Sequence, residues 1–160
     1  MMSELNTNCC STNSISKEAL QSTGVCNQCV SKGKTVKLIT LKSLLAPKKL
    51  AQLDPQLDYY FCKDANCNVV YFSEAMYFTE DDLKVAVYQK NISNKGVPVC
   101  YCFDWSQQSI QQSSDADTIP QSISEHIKAG RCGCEVNNPQ GSCCLGNVNT
   151  VINQYKKEIA

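Results

Sequence analysis

Histidine and arginine each occur once in these 160 residues, as His126 and Arg131. One imidazole is too few for a His-built zinc site, and it argues against the Ser-His or Cys-His machinery of hydrolases, which needs imidazole as a base. Fifteen Lys and Arg balance fifteen Asp and Glu. No positive excess is left to neutralise a phosphate backbone, so nucleic acid is not an expected partner. Gly-rich phosphate loops and dinucleotide fingerprints are missing, which leaves nucleotide chemistry without a carrier. The acidic Glu80-Asp81-Asp82 lacks the glycine and terminal glutamate spacing of a calcium loop. No stretch approaches the roughly 20 apolar residues of a membrane-spanning helix, so membrane insertion is not expected. The start, Met1-Met2-Ser3-Glu4-Leu5-Asn6-Thr7-Asn8, has neither a basic opening nor an apolar run. It does not read as a secretory signal, and the expected location is cytoplasmic.

What the chain has in quantity is cysteine, twelve residues of it. In a reducing cytosol, clustered thiols at compact spacings are expected to hold metal rather than to pair as disulfides. Residues 1–24, rich in Ser, Asn and Thr, read as a disordered tail carrying Cys9 and Cys10 without a defined role. From 25 to 90 the pattern favours strands. Val36 to Leu41 alternates in part, Tyr59-Tyr60-Phe61 and Val69-Val70-Tyr71-Phe72 are aromatic and β-branched, and Leu83 to Tyr88 alternates cleanly. Ser43 to Leu53 allows a short helix around Pro47. Residues 91–97 read as a linker, and 98–160 as a mostly helical second domain. There Asp104 is expected to cap a helix to about Gln112, and Pro120 to open one through Lys128 that ends at Gly130. Val148, Val151, Ile152, Tyr155 and Ile159 form the apolar stripe of a C-terminal helix.

The cysteines fall into two constellations. Cys26-Asn27-Gln28-Cys29 with Cys62-Lys63-Asp64-Ala65-Asn66-Cys67 is a zinc-ribbon-like pattern, in which two tight loops each turn two thiolates toward one tetrahedral ion. A structural zinc would supply folding free energy that so small a sheet cannot bury. The second group is Cys100-Tyr101-Cys102, Cys132-Gly133-Cys134 and Cys143-Cys144, six thiols for four places. Its paired spacing, with Gly130, Gly133 and Gly141 permitting close backbone approach, favours an iron–sulfur cluster over a second zinc. The aromatics Tyr101, Phe103 and Trp105 beside this group are expected to pack rather than to act, and His126 to face solvent rather than metal.

The residues Pro98 to Cys102, Cys134 to Cys144, Tyr59 to Cys62 and Cys67 to Phe72 resemble the N-terminal portion of the CopZ copper chaperone family. The resemblance covers about residues 25–155. It implies an α+β chain, with a small zinc-ribbon-like β domain followed by a small helical [2Fe-2S]-binding domain similar to the bacterioferritin-associated ferredoxin fold. It also implies that Cys26, Cys29, Cys62 and Cys67 bind zinc, and that Cys100, Cys102, Cys134 and Cys144 or Cys143 hold the cluster, with Cys132 able to replace Cys134. The function it implies is that of a non-enzymatic metallochaperone, a redox accessory in copper handling that exchanges one electron, reduces Cu(II) to Cu(I), and works with a copper-handling or redox partner. Longer members of the family continue into a copper-binding domain with a Met-x-Cys-x-x-Cys loop, which this sequence, ending at Ala160, does not contain. Two other readings stand beside it: an electron carrier unrelated to copper, and an all-zinc interaction module.

Overall fold

The aromatic run Tyr59–Phe61 and the apolar run Val69–Phe72 lie side by side as antiparallel strands β2 and β3. Lys34–Val36 (β1) pairs with β2 on one edge and Tyr77–Thr79 (β4) with β3 on the other, giving one antiparallel sheet in the order β1-β2-β3-β4. This computed structural model describes residues 24–159. Apart from Gly24, the expected tail, with Cys9 and Cys10, lies outside the described residues.

All four residues of β3 are buried. Val70 and Tyr71 join the main core with Leu41, Leu44, Leu45, Tyr59, Phe61, Phe78 and Val87, whereas Val69 and Phe72 pack beside Cys26, Cys62 and Cys67. A register shift between Val69 and Tyr71 breaks the strict two-residue alternation and lets one short strand serve both clusters.

Two expected strands are replaced. Leu38–Leu44 forms helix α1, because Thr40, Leu41 and Leu44 share its buried face at helical spacing. The alternation that suggested a strand extends only from Val36 to Leu38. The helix expected over 43–53 is shorter, Pro47–Leu50 (α2), with proline in its first turn. Among the described residues, Leu83 to Tyr88 has no strand partner beyond one bridge between Leu83 and Leu45. Its backbone is satisfied elsewhere: Lys84 N–H donates to the Leu44 carbonyl and Val87 N–H to the Glu80 carboxylate.

The second half opens with a two-stranded ribbon, Pro98–Cys100 (β5) and Trp105–Ser106 (β6), turned by Asp104 at φ 61°. Asp104 therefore makes the turn, and Ser106 caps the next helix, Gln107–Gln112 (α3), through a reciprocal bond with Ser109. Ile119–Lys128 (α4) has Pro120 in its first turn and is followed by Gly130 at φ 78°. Cys134–Asn137 (α5) is a single turn that the sequence did not announce, and Leu145–Ile159 (α6) is the expected final helix. Val99, Ile110, Ile119, Ile123, Val148, Val151 and Ile152 bury around Cys100, Cys134 and Cys144.

The two halves meet along α1 and the segment 134–143. Lys37 pairs with Glu135, Lys34 Nζ donates to Ser142 Oγ at 2.9 Å, and the buried Tyr71 hydroxyl donates to the Pro139 carbonyl at 2.6 Å. Gly141, at φ 74°, passes so close to α1 that a Cβ there would lie 3.1 Å from Thr40 Oγ1 and 3.3 Å from Val36 Cγ1. A Gly141→Ala change therefore meets both backbone strain and a crowded contact, and should cost about 1–3 kcal/mol. Denaturant unfolding measures this, and a variant as stable as the parent would show that the seam is looser than described.

Candidate metal centres

The first thiol group is assembled by two short loops. Cys26 and Cys29 sit in a turn closed by hydrogen bonds from Cys26 N–H to the Ser31 carbonyl and from Val30 N–H to the Cys26 carbonyl, with Val30 at φ 65°. Cys62 follows β2 and Cys67 precedes β3, and Cys67 N–H donates to the Asp64 carbonyl. Asp64 locks the second loop by accepting Asn66 N–H at 2.8 Å and joins it to the first by accepting the Ser31 hydroxyl at 3.2 Å.

The four sulfurs all lie within 4.8 Å of one another. Cys26 and Cys67 are 3.9 Å apart and Cys29 and Cys62 are 3.5 Å apart. A tetrahedral zinc with Zn–S bonds of about 2.3 Å separates its sulfurs by about 3.8 Å, so the donor set fits that ion in number, softness and spacing. Burial opposes ionisation of Cys29, but hydrogen bonds from the Ser31 hydroxyl and N–H outweigh it and bring the thiol down to about 7. Burial pushes Cys62 up to about 12. Cys29 is thus readier to lose its proton than Cys62, for which a bound cation would offset the burial.

The second group draws on four segments: Cys100 ends β5, Cys102 lies in the following turn, Cys132 and Cys134 flank Gly133 at the start of α5, and Cys144 precedes α6. The sulfurs of Cys102, Cys132 and Cys134 lie within 4.8 Å of one another, with Cys132 to Cys134 at 3.3 Å and Cys102 to Cys134 at 3.8 Å. Cys144 is buried in one cluster with Cys100 and Cys134. Its side chain favours the thiolates of these neighbours, bringing Cys134 down to about 5 and Cys100 to about 7, while its own thiol is pushed up. Cys143 points elsewhere: it is exposed, and its sulfur accepts the Leu145 N–H at 3.4 Å.

Some supporting groups were not anticipated. Gly133 N–H donates to Cys102 Sγ at 3.2 Å and Asn137 Nδ2 does so at 3.5 Å, the kind of donors that favour a thiolate. Asn137 stands three residues after Cys134 on α5, so its helical spacing was the available clue. Among the neighbouring aromatics, Tyr101 donates to the Ala86 carbonyl and accepts Tyr88 N–H. Phe103 stacks on His126 at 4.4 Å, and His126 Nδ1 accepts from Arg131. These groups pack and tether, and His126 is half-buried rather than facing solvent.

Comparison with known proteins puts a family beside this geometry. Residues 23–84 match the CopZ-type zinc-binding domain. Over 88 residues the chain is 34% identical to the copper chaperone CopZ of Archaeoglobus fulgidus, which is 54% of this chain and 42% of the relative, so the match spans less than half of that protein. The chain is also similar to the X-ray structure of the Archaeoglobus fulgidus CopZ N-terminal domain. The TM-score is 0.63 at 28% identity, covering 79% of this chain and 96% of that one. The antiparallel sheet with accompanying helices is the architecture of that domain. Among the described residues, no helix is long and apolar enough to cross a membrane.

Exposure ranks the thiols for chemistry. Cys143 should be the first described cysteine alkylated by iodoacetamide, and Cys62 and Cys144 the last. Mass spectrometry of a time course reads the order, and early modification of Cys62 or Cys144 would contradict this geometry.

Proposed function

We propose that the chain is a two-centre metal protein of copper handling, with a structural zinc in residues 25–90 and a [2Fe-2S] cluster in residues 98–160. The observation that carries it is the pairing of a CopZ-type zinc-binding match with a second, separate convergence of thiols. Cys26, Cys29, Cys62 and Cys67 would hold zinc. Their mutual distances and the loop bonds of Ser31 and Asp64 support that assignment.

Cys100, Cys102, Cys134 and Cys144 would hold the cluster. Cys144 is favoured over Cys143 because it is buried in one cluster with Cys100 and Cys134, whereas Cys143 is exposed. Such a cluster supplies one-electron exchange, sufficient in kind to reduce Cu(II) to Cu(I) or to serve a partner protein. The chain's own residues do the rest. The N–H groups of Gly133 and Asn137 offset negative charge at Cys102, and the valine and isoleucine core keeps water from Cys100 and Cys144. Thiolates are kept reduced in the cytoplasm, which suits this site, and the curated relative's name points to copper-handling partners. The chain then works by binding and electron transfer rather than as an enzyme.

The tight trio Cys102, Cys132 and Cys134 favours a second reading, a single zinc in each half. Anaerobic purification separates the two. The proposal predicts a coloured protein containing iron, sulfide and one zinc. It also predicts that Cys144→Ser loses the colour while keeping its zinc and that Cys143→Ser keeps both. A colourless chain with zinc alone, even after cluster reconstitution, would decide for the second reading.

A further inference from the structure

We infer that Cys132 and Cys143, the two thiols among the described residues that neither proposed ligand set uses, form a binding site for a soft monovalent cation, Cu(I), at the mouth of the cavity beside α5. The inference deepens the copper-handling reading above and rests on it. Both cysteines line one open cavity of about 510 Å³, with Cys134 between them in sequence and on the same wall. Its apolar lining comes from Ile127 and Val136. Two sulfurs outside the proposed cluster ligands suit a soft ion of low coordination number, although Glu135 and Ser142 also line the cavity.

The position of each thiol matters. Cys132 Sγ lies 3.3 Å from Cys134 Sγ, so an ion on Cys132 would sit against the proposed cluster ligands. Cys143 is exposed and, among the described residues, has only the Leu145 N–H on its sulfur, which a turn about χ1 toward Cys132 would break. Binding would exchange two S–H protons, released to solvent, for two Cu–S bonds, with no change in oxidation state. The resulting complex carries a net negative charge. Lys32, Lys34 and Lys63 line the adjoining cavity of about 760 Å³, whose wall also includes Cys143, and Lys34 bonds to Ser142 beside it. The acidic group on the near wall, Glu135, is already paired with Lys37. The lysines would offset the negative charge of the bound complex, and the ion on Cys132 would rest within contact distance of the proposed redox centre.

The test is an anaerobic Cu(I) titration of the zinc- and iron-loaded chain against a colorimetric Cu(I) chelator. The same titration is run on Cys132→Ser, Cys143→Ser and the double variant. The parent should retain one Cu(I) equivalent more than the double variant, and each single variant should hold that equivalent at least tenfold more weakly. Zinc and iron contents should be equal in all four, and bound Cu(I) should protect Cys132 and Cys143 of the parent from iodoacetamide. A double variant equal to the parent in Cu(I) number and affinity would overturn the inference, as would uptake that releases zinc or iron one for one. A parent chain that never holds iron would refute the proposed function instead, and the difference between parent and double variant would still decide the role of the two thiols.

Discussion

Sulfurs 41 and 33 residues apart in sequence are held within 3.9 and 3.5 Å of one another, and the fold of the first half is arranged around that convergence. Its strands are three or four residues long and its helices seven and four, too short to be stable by backbone propensity alone. A closed tetrathiolate zinc site contributes on the order of 10 kcal/mol of apparent binding energy, which is folding energy when the site does not exist in the unfolded chain. That is comparable to the whole stability of an ordinary domain. A zinc ion held there would therefore be the constraint that allows a small aromatic sheet to serve as a platform.

The second thiol group depends on that platform. The segment from Cys134 to Cys143 lies against α1 and β3, joined by the Tyr71 hydroxyl, Gly141 and the Lys34 amine. The Tyr71 bond crosses from the core of one half to the loop that sets Cys143 and Cys144. Residues 91–96 are also tied down, since the Gln107 side chain donates to the Ile92 carbonyl and Gln108 N–H to the Lys95 carbonyl. Disturbance of either centre should thus be felt at the other through this seam, as packing rather than as charge, because the ion pair across it, Lys37 with Glu135, is exposed.

Much of this was legible in the sequence, for identifiable reasons. The aromatic strands at 59–61 and 69–72 and the long helix from 145 carry strong local patterns, and each is present. Proline at 120 and glycine at 130 bracket α4 as their backbone preferences require. The division of the cysteines into two groups followed from spacing, and the sulfurs gather along that division. What local pattern could not convey was partnership. Leu83 to Tyr88 alternates like a strand but meets the Glu80 side chain and the Leu44 carbonyl instead of a neighbour. Val36 to Leu41 changes from strand to helix part-way, because Thr40, Leu41 and Leu44 bury together. Among six thiols, nothing in the spacing said that Cys144 would be buried against Cys100 and Cys134 while the adjacent Cys143 faced outward. The start of α6 decides that.

Hydrogen exchange read by mass spectrometry on the zinc-loaded and zinc-stripped chain tests most directly whether the ion holds the fold together. Removal of zinc should abolish protection across Tyr59 to Phe72, the strands that carry Cys62 and Cys67, and restored zinc should return it. Equal protection of those strands with and without the metal would contradict the account, because the sheet would then stand on its hydrophobic core alone.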